Sequence, residues 1–146
     1  MSGPDPRTAA SELGEVPAPE EVTLDHSFDG DGLYGMRATI AAHAERLGVD
    51  DEQLQQLLIV AGELASNAVR HGGGSGRLRL WRADGRIHCQ VRDAGPGIDE
   101  AATGTTQPAA TQIGGRGLWI VRSLSAAISI TNNDPGTTVT AVIGPG

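Results

Sequence analysis

The stretch that decides the fold of this chain is Glu63-Leu64-Ala65-Ser66-Asn67-Ala68-Val69-Arg70-His71. It closes a segment in which leucine and alanine recur with the period of an α-helix, after Asp50 or Asp51 as the N-terminal cap. Residues four apart share a helix face, so Glu63, Asn67 and His71 form a polar line beside the apolar stripe. The pattern predicts a long helix that packs on one side and presents this line on another.

The polar line has two interpretations. It is either the solvent-facing edge of an amphipathic helix or part of a site. An amide oxygen such as that of Asn67 is a hard, neutral ligand suited to Mg²⁺ beside phosphate oxygens. The carboxylate of Glu63, one turn away, can accept a proton from an attacking hydroxyl or water. Gly62, inside the same helix, either admits a close neighbour or has no packing role.

A first glycine motif follows about thirty residues later, as Asp93-Ala94-Gly95-Pro96-Gly97. Asp93 stands where an apolar strand ends, and its carboxylate could accept a hydrogen bond from the exocyclic amine of adenine. Gly95 and Gly97 would let the backbone approach a flat ring, because no Cβ intervenes. The plain alternative is an ordinary Asp-Gly turn.

A second glycine motif, Gly114-Gly115-Arg116-Gly117-Leu118, opens another predicted helix. The exposed N–H groups at a helix start attract phosphate, although a glycine-rich helix start without a ligand has the same sequence. Each motif alone is a weak signal. In this order they indicate a site for a nucleotide and its metal ion.

The remaining segments predict an α+β fold, a two-layer α/β sandwich in which helices cover one face of a mixed, mostly antiparallel sheet. The Asp84-Gly85 pair predicts a tight hairpin. Gly72–Gly76 is interpreted as a flexible linker. The other predicted segments are strands over 21–28, 77–82, 86–92, 128–131 and 137–143, helices over 33–47 and 117–126, and a mobile loop over 99–113.

The 146 residues are enough for one domain. We expect residues 1–20 to be a disordered, acidic, proline-containing tail and residues 21–146 to be the folded domain. No apolar run approaches the roughly 20 residues that cross a bilayer, and the N-terminus has no apolar signal-peptide centre. We therefore expect a cytoplasmic protein that does not meet a membrane.

Charge and composition exclude several function classes. The net charge is −7, but residues 1–31 hold eight acidic residues and Arg7, so residues 32–146 are neutral overall. A neutral body does not favour nucleic acid as a direct partner. The chain has no lysine, which excludes a P-loop lysine and a Schiff base. Phosphate would have to be held by backbone amides, a metal ion or arginine.

Taken together, the motifs resemble those of the GHKL ATPase superfamily, which includes DNA gyrase, MutL and the histidine kinases and has the Bergerat fold. Glu63-x-x-x-Asn67 resembles its N box, and Asp93-x-Gly95-x-Gly97 and Gly115-x-Gly117-Leu118 resemble its two glycine boxes. Gly136-Thr137 resembles the late Gly-Thr pair that supports the adenine aspartate. The resemblance covers about residues 21–143.

The resemblance implies roles for the catalytic and metal-binding residues. Asn67 would ligate the Mg²⁺ that bridges the phosphates of ATP, and Glu63 would be the general base toward a serine hydroxyl of a partner protein. Amides from Gly115 to Leu118, with Gly117 among them, would hold the phosphates. Arg116 would touch the γ-phosphate.

The resemblance also implies an adenine site. Asp93 would pair with the adenine amine, with Gly95, Gly97 and Thr137 beside it. The predicted loop over 99–113 would cover the nucleotide, although it lacks the basic residue that would steady the transition state. Phosphotransfer is then expected to be slow.

Within the superfamily the chain is similar to the bacterial anti-sigma-factor serine/threonine kinases of the actinobacterial type. We expect the protein to lack the transducer domain of the gyrase and MutL relatives and the phospho-accepting helical hairpin of the histidine kinase relatives. The similarity implies a kinase that phosphorylates a STAS-type anti-anti-sigma protein, sequesters a sigma factor and forms a homodimer.

Two other functions stay open from the sequence. In the first, ATP sets the shape of a partner-binding surface and no phosphate is transferred, although a pure binding module needs no base at Glu63. In the second, the domain is structural and binds no ligand.

Overall fold

The computed structural model describes residues 11–12, 22–71, 73–95, 115–132 and 136–143. Within these ranges the helices are α1 (Leu33–Ala42), α2 (Ala44–Leu47), α3 (Asp51–His71) and α4 (Gly115–Leu124). The strands are β1 (Ser11–Glu12), β2 (Val22–Asp29), β3 (Ser75–Ala83), β4 (Arg86–Asp93), β5 (Ser125–Asn132) and β6 (Thr137–Ile143). A 3-10 turn, Gly30–Gly32, leads from β2 into α1.

The six described strands form one sheet in the order β1-β5-β6-β4-β3-β2. Neighbouring strands are antiparallel, except that β1 and β5 run parallel. Helix α3 lies across β3, β4 and β6, with α1 against β2 and α4 against β5 and β6. The predicted class is confirmed: an α+β sandwich of two layers, with a mixed, mostly antiparallel sheet covered by helices on one face.

Strand β1 is an addition to the predicted architecture. Ser11 and Glu12 pair with Ala127 and Ile128 of β5. Two residues carry no periodic signal, so the sequence does not predict this strand. The rest of the predicted tail over 1–20 and the predicted loop over 99–113 lie outside the described residues, and both stay predictions.

Helix α3 begins with a reciprocal cap and buries the predicted apolar stripe. The backbone N–H of Gln53 donates to Asp50 Oδ1 at 2.7 Å, and the Asp50 N–H donates to Gln53 Oε1 at 3.0 Å. Asp50 is therefore the cap, and two of the N–H groups that a helix start leaves unpaired are satisfied. The buried residues of the helix are Leu57, Val60, Ala61, Leu64, Ala65, Asn67 and Ala68.

The predicted single helix over 33–47 is divided in the structure. The N–H of His43 bonds to the Ile40 carbonyl at 3.0 Å, so the helix tightens to an i to i−3 bond and breaks there. The ring Nδ1 of His43 lies 2.8 Å from the Thr39 carbonyl oxygen. Gly48, at φ +73°, ends α2 in the left-handed conformation that favours glycine.

Both ends of the α1–α2 segment are held by side chains of the sheet. Before α1, Asp29 Oδ1 accepts a hydrogen bond from the Gly32 N–H at 3.0 Å. After α2, the guanidinium of Arg82 on β3 donates to the carbonyls of Leu47 and Gly48, each at 3.2 Å. Carbonyls that a helix end leaves unpaired are satisfied by this arginine.

The hairpin between β3 and β4 turns at Asp84-Gly85, as predicted. Asp84 has φ +53° and Gly85 has φ +75°. Positive φ at both central residues is the signature of the type I′ turn, whose twist matches that of the flanking strands. The turn sets the register in which β4 delivers Asp93 at its C-terminal end, opposite Thr137 of β6.

The cap of α3 supplies a test of the fold. Asp50→Ala should lower the free energy of unfolding by about 1 kcal/mol, because the Gln53 N–H loses its acceptor. Asp50→Asn removes the same charge but keeps the cap, and should retain most of the stability. Urea denaturation of both variants measures the difference, and equal losses would contradict the assigned cap.

Candidate functional site

The predicted site residues lie where the C-terminal half of α3 meets the C-terminal end of β4. A Cβ built on Gly76 would lie 3.0 Å from the Arg92 carbonyl oxygen and 3.3 Å from Ala68 Cβ. Helix and strand can approach this closely because a residue without a side chain lies between them. The interpretation of Gly72–Gly76 as a flexible linker is wrong for its last two residues, which begin β3.

A second glycine contact brings the turn after β4 to the same place. Gly73 has φ +92°, and a Cβ built on it would lie 3.7 Å from the Cα of Gly95. The chain that leaves α3 therefore returns beside the segment that follows Asp93. Asn67, near the end of α3, and Asp93, at the end of β4, consequently lie at the same end of the two layers.

Asn67 is the most unusual polar residue of this region. It is 9% exposed, and its Oδ1 has no hydrogen-bond partner in the part of the chain that the structure describes. A buried, unsatisfied oxygen costs about 1–3 kcal/mol, so a structure that keeps one usually has a use for it. The arrangement fits the predicted Mg²⁺ ligand and does not fit the alternative of a solvent-facing helix edge.

The donor set limits how a metal ion could be held. Across the described residues there is no group of three or more histidine, cysteine, aspartate or glutamate side chains placed to bind a metal. A single amide oxygen suits Mg²⁺ only when phosphate oxygens and water complete the octahedron. Asn67 therefore fits a metal ion that arrives with a nucleotide better than one held by the protein alone.

The other members of the polar line diverge from Asn67. Glu63, one turn earlier, is half-buried, and His71, one turn later, is exposed. Glu63 lines a cavity between α1 and α3, together with Ser66 and Arg70. The line thus leads from a groove at Glu63 to a buried position at Asn67 and out to solvent.

Asp93 is held by backbone groups. Its Oδ1 accepts a hydrogen bond from the Gly95 N–H at 2.9 Å, and the Thr137 N–H donates to the same carboxylate. Burial raises the pKa of Asp93 above its ordinary value, and these two hydrogen bonds oppose the shift. The half-buried carboxylate is therefore fixed in direction by the backbone.

Gly136 supports Asp93 from the neighbouring strand. It has φ +110°, and a Cβ built on it would collide with the carbonyl oxygen of Asp93. Thr137 beside it is buried and pairs across the strands with Asp93. Glycine is thus required at position 136 because of its positive φ and because a side chain would collide with Asp93. The sequence indicated this requirement only through the resemblance of the Gly-Thr pair.

The second glycine motif opens α4, which begins at Gly115 and packs against α3. Arg116 and Gly117 lie in its first turn, and Leu118 is buried in the core. Gly97 lies outside the described residues, so its predicted place beside the adenine ring stays a prediction. The structure places Asn67 and the Asp93–Thr137 pair at the same end of the two layers, with α4 packed alongside α3.

The described residues contain no helix that is long and apolar enough to cross a membrane.

The chain matches one protein family over most of its length. Residues 28–143 match the family model described as a histidine kinase-like ATPase domain. The match begins at the end of β2 and ends with β6, so it includes α3, β4, α4 and the Gly136-Thr137 pair.

Two solved structures share the fold. A chain of the SiaB–SiaC complex from Pseudomonas aeruginosa has a TM-score of 0.64 at 10% identity, covering 84% of this chain and 89% of that one. The catalytic domain of the histidine kinase ThkA has a TM-score of 0.51 at 17% identity, covering 82% of this chain and 96% of that one. At such identities the likeness shows the fold alone.

A shorter match is found in Streptomyces coelicolor. The signal transduction histidine-protein kinase AfsQ2 is 44% identical to this chain over 46 residues, which make up 32% of this chain. Those residues are 9% of the kinase, so the chain spans only a small part of that relative.

Asn67 Oδ1 is buried and has no described hydrogen-bond partner. Its removal is therefore expected to weaken ATP binding without lowering the stability of the fold. Asn67→Ala should lower the Mg²⁺-dependent affinity for ATP at least tenfold, or about 1.4 kcal/mol, because the ion loses its protein ligand. The free energy of unfolding should be retained or raised, since the substitution removes a buried oxygen that has no described hydrogen-bond partner. Calorimetric titration with and without Mg²⁺ measures the first quantity, and urea denaturation the second. Ser66→Ala, the neighbouring control, should bind normally, and an equal Mg²⁺ dependence in both variants would contradict the assignment.

The raised pKa of Asp93 predicts that one substitution will increase stability and weaken the preference for ATP. A carboxyl whose pKa is raised by burial binds its proton more tightly in the folded state than in the unfolded state. The free energy of unfolding therefore falls as the pH rises from 3.8 through the pKa of the folded state. Asp93→Asn should therefore be more stable than the native protein at pH 7, and this advantage should vanish below pH 3.8. The same variant should lose the preference for ATP over GTP.

Thermal denaturation across pH and titration with both nucleotides test this prediction. Asp84→Asn is the control, because Asp84 is exposed and asparagine suits its left-handed turn position. A native preference for ATP that survives in Asp93→Asn would remove Asp93 from the adenine site.

Proposed function

Because the chain belongs to the histidine kinase-like ATPase family, we propose that it binds ATP with Mg²⁺ and transfers the γ-phosphoryl group to a serine or threonine of a partner protein. Nucleotide binding follows from the family, whereas transfer to a protein hydroxyl is the proposal. One observation supports the proposed transfer to a protein hydroxyl. On α3, a buried amide oxygen without a described partner lies one turn from a glutamate that faces an open groove.

The α1/α3 groove is the proposed entrance for the phospho-acceptor. It is a cavity of about 590 Å³ between the two helices. No atom lies within 4 Å of a Cβ built on Gly62, so the missing side chain leaves the groove open rather than admitting a neighbour. The lining residues are Leu33, Tyr34, Met36, Arg37, Leu58, Ile59, Gly62, Glu63, Ser66 and Arg70.

The groove has the character of a protein-binding surface. Tyr34 is 90% exposed and Ile59 is 42% exposed, and they are the large exposed hydrophobic residues of the described chain. An exposed aromatic beside arginine is enriched in interfaces between proteins. Arg37 and Arg70 flank the apolar surface, so a partner segment that carries acidic residues would be complementary to it.

The proposed reaction needs little covalent chemistry from the protein. Glu63 accepts the proton of the partner hydroxyl, whose oxygen forms a bond to the γ-phosphorus while the bond from that phosphorus to the leaving oxygen of ADP breaks. The products are ADP and a phosphorylated side chain. Mg²⁺, held through Asn67, supplies neutralisation of phosphate charge.

The remaining residues position the nucleotide in this proposal. The carboxylate of Asp93 accepts a hydrogen bond from the adenine amine, beside Gly95 and Thr137. The backbone N–H groups at the start of α4 hold the phosphates, as helix N-termini do for anions. Arg116, in that first turn, contacts the γ-phosphate.

The proposed biological role is that of an anti-sigma factor. A STAS-type anti-anti-sigma protein is the phospho-acceptor, its unphosphorylated form displaces a sigma factor, and the kinase works as a cytoplasmic homodimer. Two observations support a protein partner. The α1/α3 groove exposes apolar side chains beside Glu63, and one of the structures that share the fold was solved as a complex, that of SiaB with SiaC.

A second candidate is a nucleotide-responsive binding module without phosphotransfer. Residues 99–113 contain no arginine or lysine, so no basic side chain of that segment can stabilise the charge of the transition state. In this case ATP would only change the shape of the surface that binds the sigma factor.

Phosphate transfer to candidate partners distinguishes the two functions. With γ-labelled ATP, Mg²⁺ and a panel of STAS-type proteins, the native chain should label a serine or threonine. Glu63→Gln should lower the rate about 10²- to 10⁴-fold, because the general base is lost, while its affinity for ATP is unchanged. Glu45→Gln, an exposed glutamate on α2, is the matched control and should transfer normally.

Other outcomes have equally definite meanings. Tight ATP binding without label, and sigma-factor binding unaffected by Glu63→Gln, would overturn the kinase in favour of the binding module. Equal, negligible heats of ATP binding in the native protein, Asn67→Ala and Asp93→Asn would contradict both functions.

A further inference from the structure

Arg70, in the last turn of α3, is a cation to which the fold assigns no partner. It is exposed, and it makes no ion pair or hydrogen bond with any other residue that the structure describes. It nevertheless lines the α1/α3 groove together with Glu63 and Ser66. A guanidinium without a carboxylate partner, in a groove that leads toward Asn67, is available to a negatively charged ligand.

The helical repeat places Arg70 beside the line that runs from Glu63 to Asn67. Seven residues fall about 20° short of two full turns, and four residues exceed one turn by about 40°, so Arg70 lies about 60° around the helix from Asn67. Side chains of a helix point toward its N-terminus, so the Arg70 side chain extends back over the turn that holds Ser66 and Asn67. The cation and the proposed metal ligand thus lie at the same level of the helix.

The interval between Glu63 and Arg70 has the length that a phosphoryl transfer requires. Seven residues rise about 10.5 Å along the helix axis. The hydrogen bond from an acceptor hydroxyl to a carboxylate, the approach of the reacting atoms and the hydrogen bond from a guanidinium to a phosphoryl oxygen together span about 9 Å. The two side chains form no ion pair with each other. The space between them is therefore long enough for an acceptor hydroxyl followed by a phosphoryl group.

Phosphoryl transfer is accelerated by positive charge beside the phosphoryl oxygens, in addition to the charge of the metal ion. An arginine in this role increases the rate by about 10³- to 10⁵-fold. Residues 99–113 contain no arginine and the chain has no lysine, so that segment does not supply the charge. The cation is therefore an arginine from another part of the chain or a residue of the partner protein.

Most of the other described arginines are directed away from the groove. Arg46, on α2, does not line it, and Arg122 is buried in α4. The arginines of β3 and β4 either point to the sheet face opposite the helices or hold the end of α2; they are Arg77, Arg79, Arg82, Arg86 and Arg92. This leaves Arg37 on α1, across the groove, Arg116 at the start of α4, and Arg70. Of these three, only Arg70 belongs to α3, the helix of the proposed base and metal ligand.

We propose that Arg70 contacts the γ-phosphoryl group of ATP from the groove and neutralises the charge of its oxygens during transfer. The bond from the acceptor oxygen to phosphorus forms and the bond from phosphorus to ADP breaks, while Glu63 takes the hydroxyl proton. Arg70 donates hydrogen bonds and keeps all its protons. It is then a catalytic residue that supplies from α3 the charge missing from residues 99–113. This role rests on the proposed function, because ATP provides the phosphoryl group.

Discrimination between ATP and ADP tests the contact without a partner protein. In calorimetric titration of the full chain with Mg²⁺, the native protein should bind ATP more tightly than ADP. Arg70→Gln should lower this ratio about tenfold by weakening ATP binding alone, because one charge-assisted hydrogen bond to the γ-phosphoryl group is lost. Arg70→Lys keeps the charge but not the planar fork and should recover part of the ratio. The matched control, Arg46→Gln on α2, should bind both nucleotides normally.

The effect of the substitution on the fold is measured separately. A cation in the last turn of a helix also stabilises that helix through its dipole, and this contribution is the same whichever nucleotide is bound. Thermal denaturation of the nucleotide-free variants measures it, and Arg70→Gln should stay folded because the residue is exposed. A native ratio of ATP to ADP affinity in the folded variant would overturn the proposal.

The rate of transfer distinguishes a contact with the nucleotide from a contact with the partner. With γ-labelled ATP and a partner protein that accepts the label, Arg70→Gln should lower kcat about 10³-fold and leave the KM for the partner unchanged. Arg70→Lys should again recover part of the loss. A higher KM for the partner at native kcat would overturn the proposal, since Arg70 would then bind the partner and not the phosphoryl group.

Failure of this role and failure of the proposed kinase give different results. If the native chain transfers no phosphate while Arg70→Gln still loses the preference for ATP over ADP, the kinase is wrong and the contact of Arg70 with the γ-phosphoryl group is supported. If the native chain transfers phosphate and Arg70→Gln transfers it equally fast, the kinase is supported and the role of Arg70 is overturned.

Discussion

The contact between α3 and the β3–β4 hairpin is the constraint on which the site depends. The apolar stripe of α3 sets the rotation of the helix about its axis, and each residue is turned by about 100° from the last. Burial of Leu64, Ala65 and Ala68 therefore places Asn67 inside and Glu63 at the margin. The missing side chain of Gly76 sets the distance between the two layers at this point. Rotation and distance together decide where the amide oxygen lies.

Two of the site's polar groups are retained at a cost to stability. Asn67 keeps a buried oxygen without a described partner, and Asp93 keeps a carboxyl whose ionisation is opposed by burial. Neither arrangement favours folding. An apolar side chain in place of Asn67 and a neutral amide in place of the Asp93 carboxyl would stabilise the fold. Function commonly explains such departures, since sites are where local rules of stability are broken.

Local signals in the sequence were sufficient for much of the fold. The cap and stripe of α3 and the Asp84-Gly85 turn depend on neighbours in the sequence, and each was predicted in its place. The α+β class followed from the order of these segments. No glycine or proline marks the break at His43, and the pairing of β1 with β5 depends on a distant part of the chain, so no local pattern indicates either.

The sequence proposes the residues of the candidate site but not their geometry. Three separated motifs point to Asn67, Asp93 and the start of α4. That Asn67 is buried, that Gly136 touches the Asp93 carbonyl and that Gly62 opens a groove all depend on how layers pack. Glycine in a strand is a general sign of close backbone approach, and Gly76 could have been recognised on that ground.

The wall of the groove formed by α1 is tied to the sheet at both of its ends. Asp29 holds its beginning and Arg82 holds the end of the segment through α2. A helix fastened in this way has little freedom to swing, so we expect the groove to keep its width when a partner binds. Binding of a ligand that matches the groove then carries no added cost for ordering α1, and shape rather than adaptation decides which ligands are accepted.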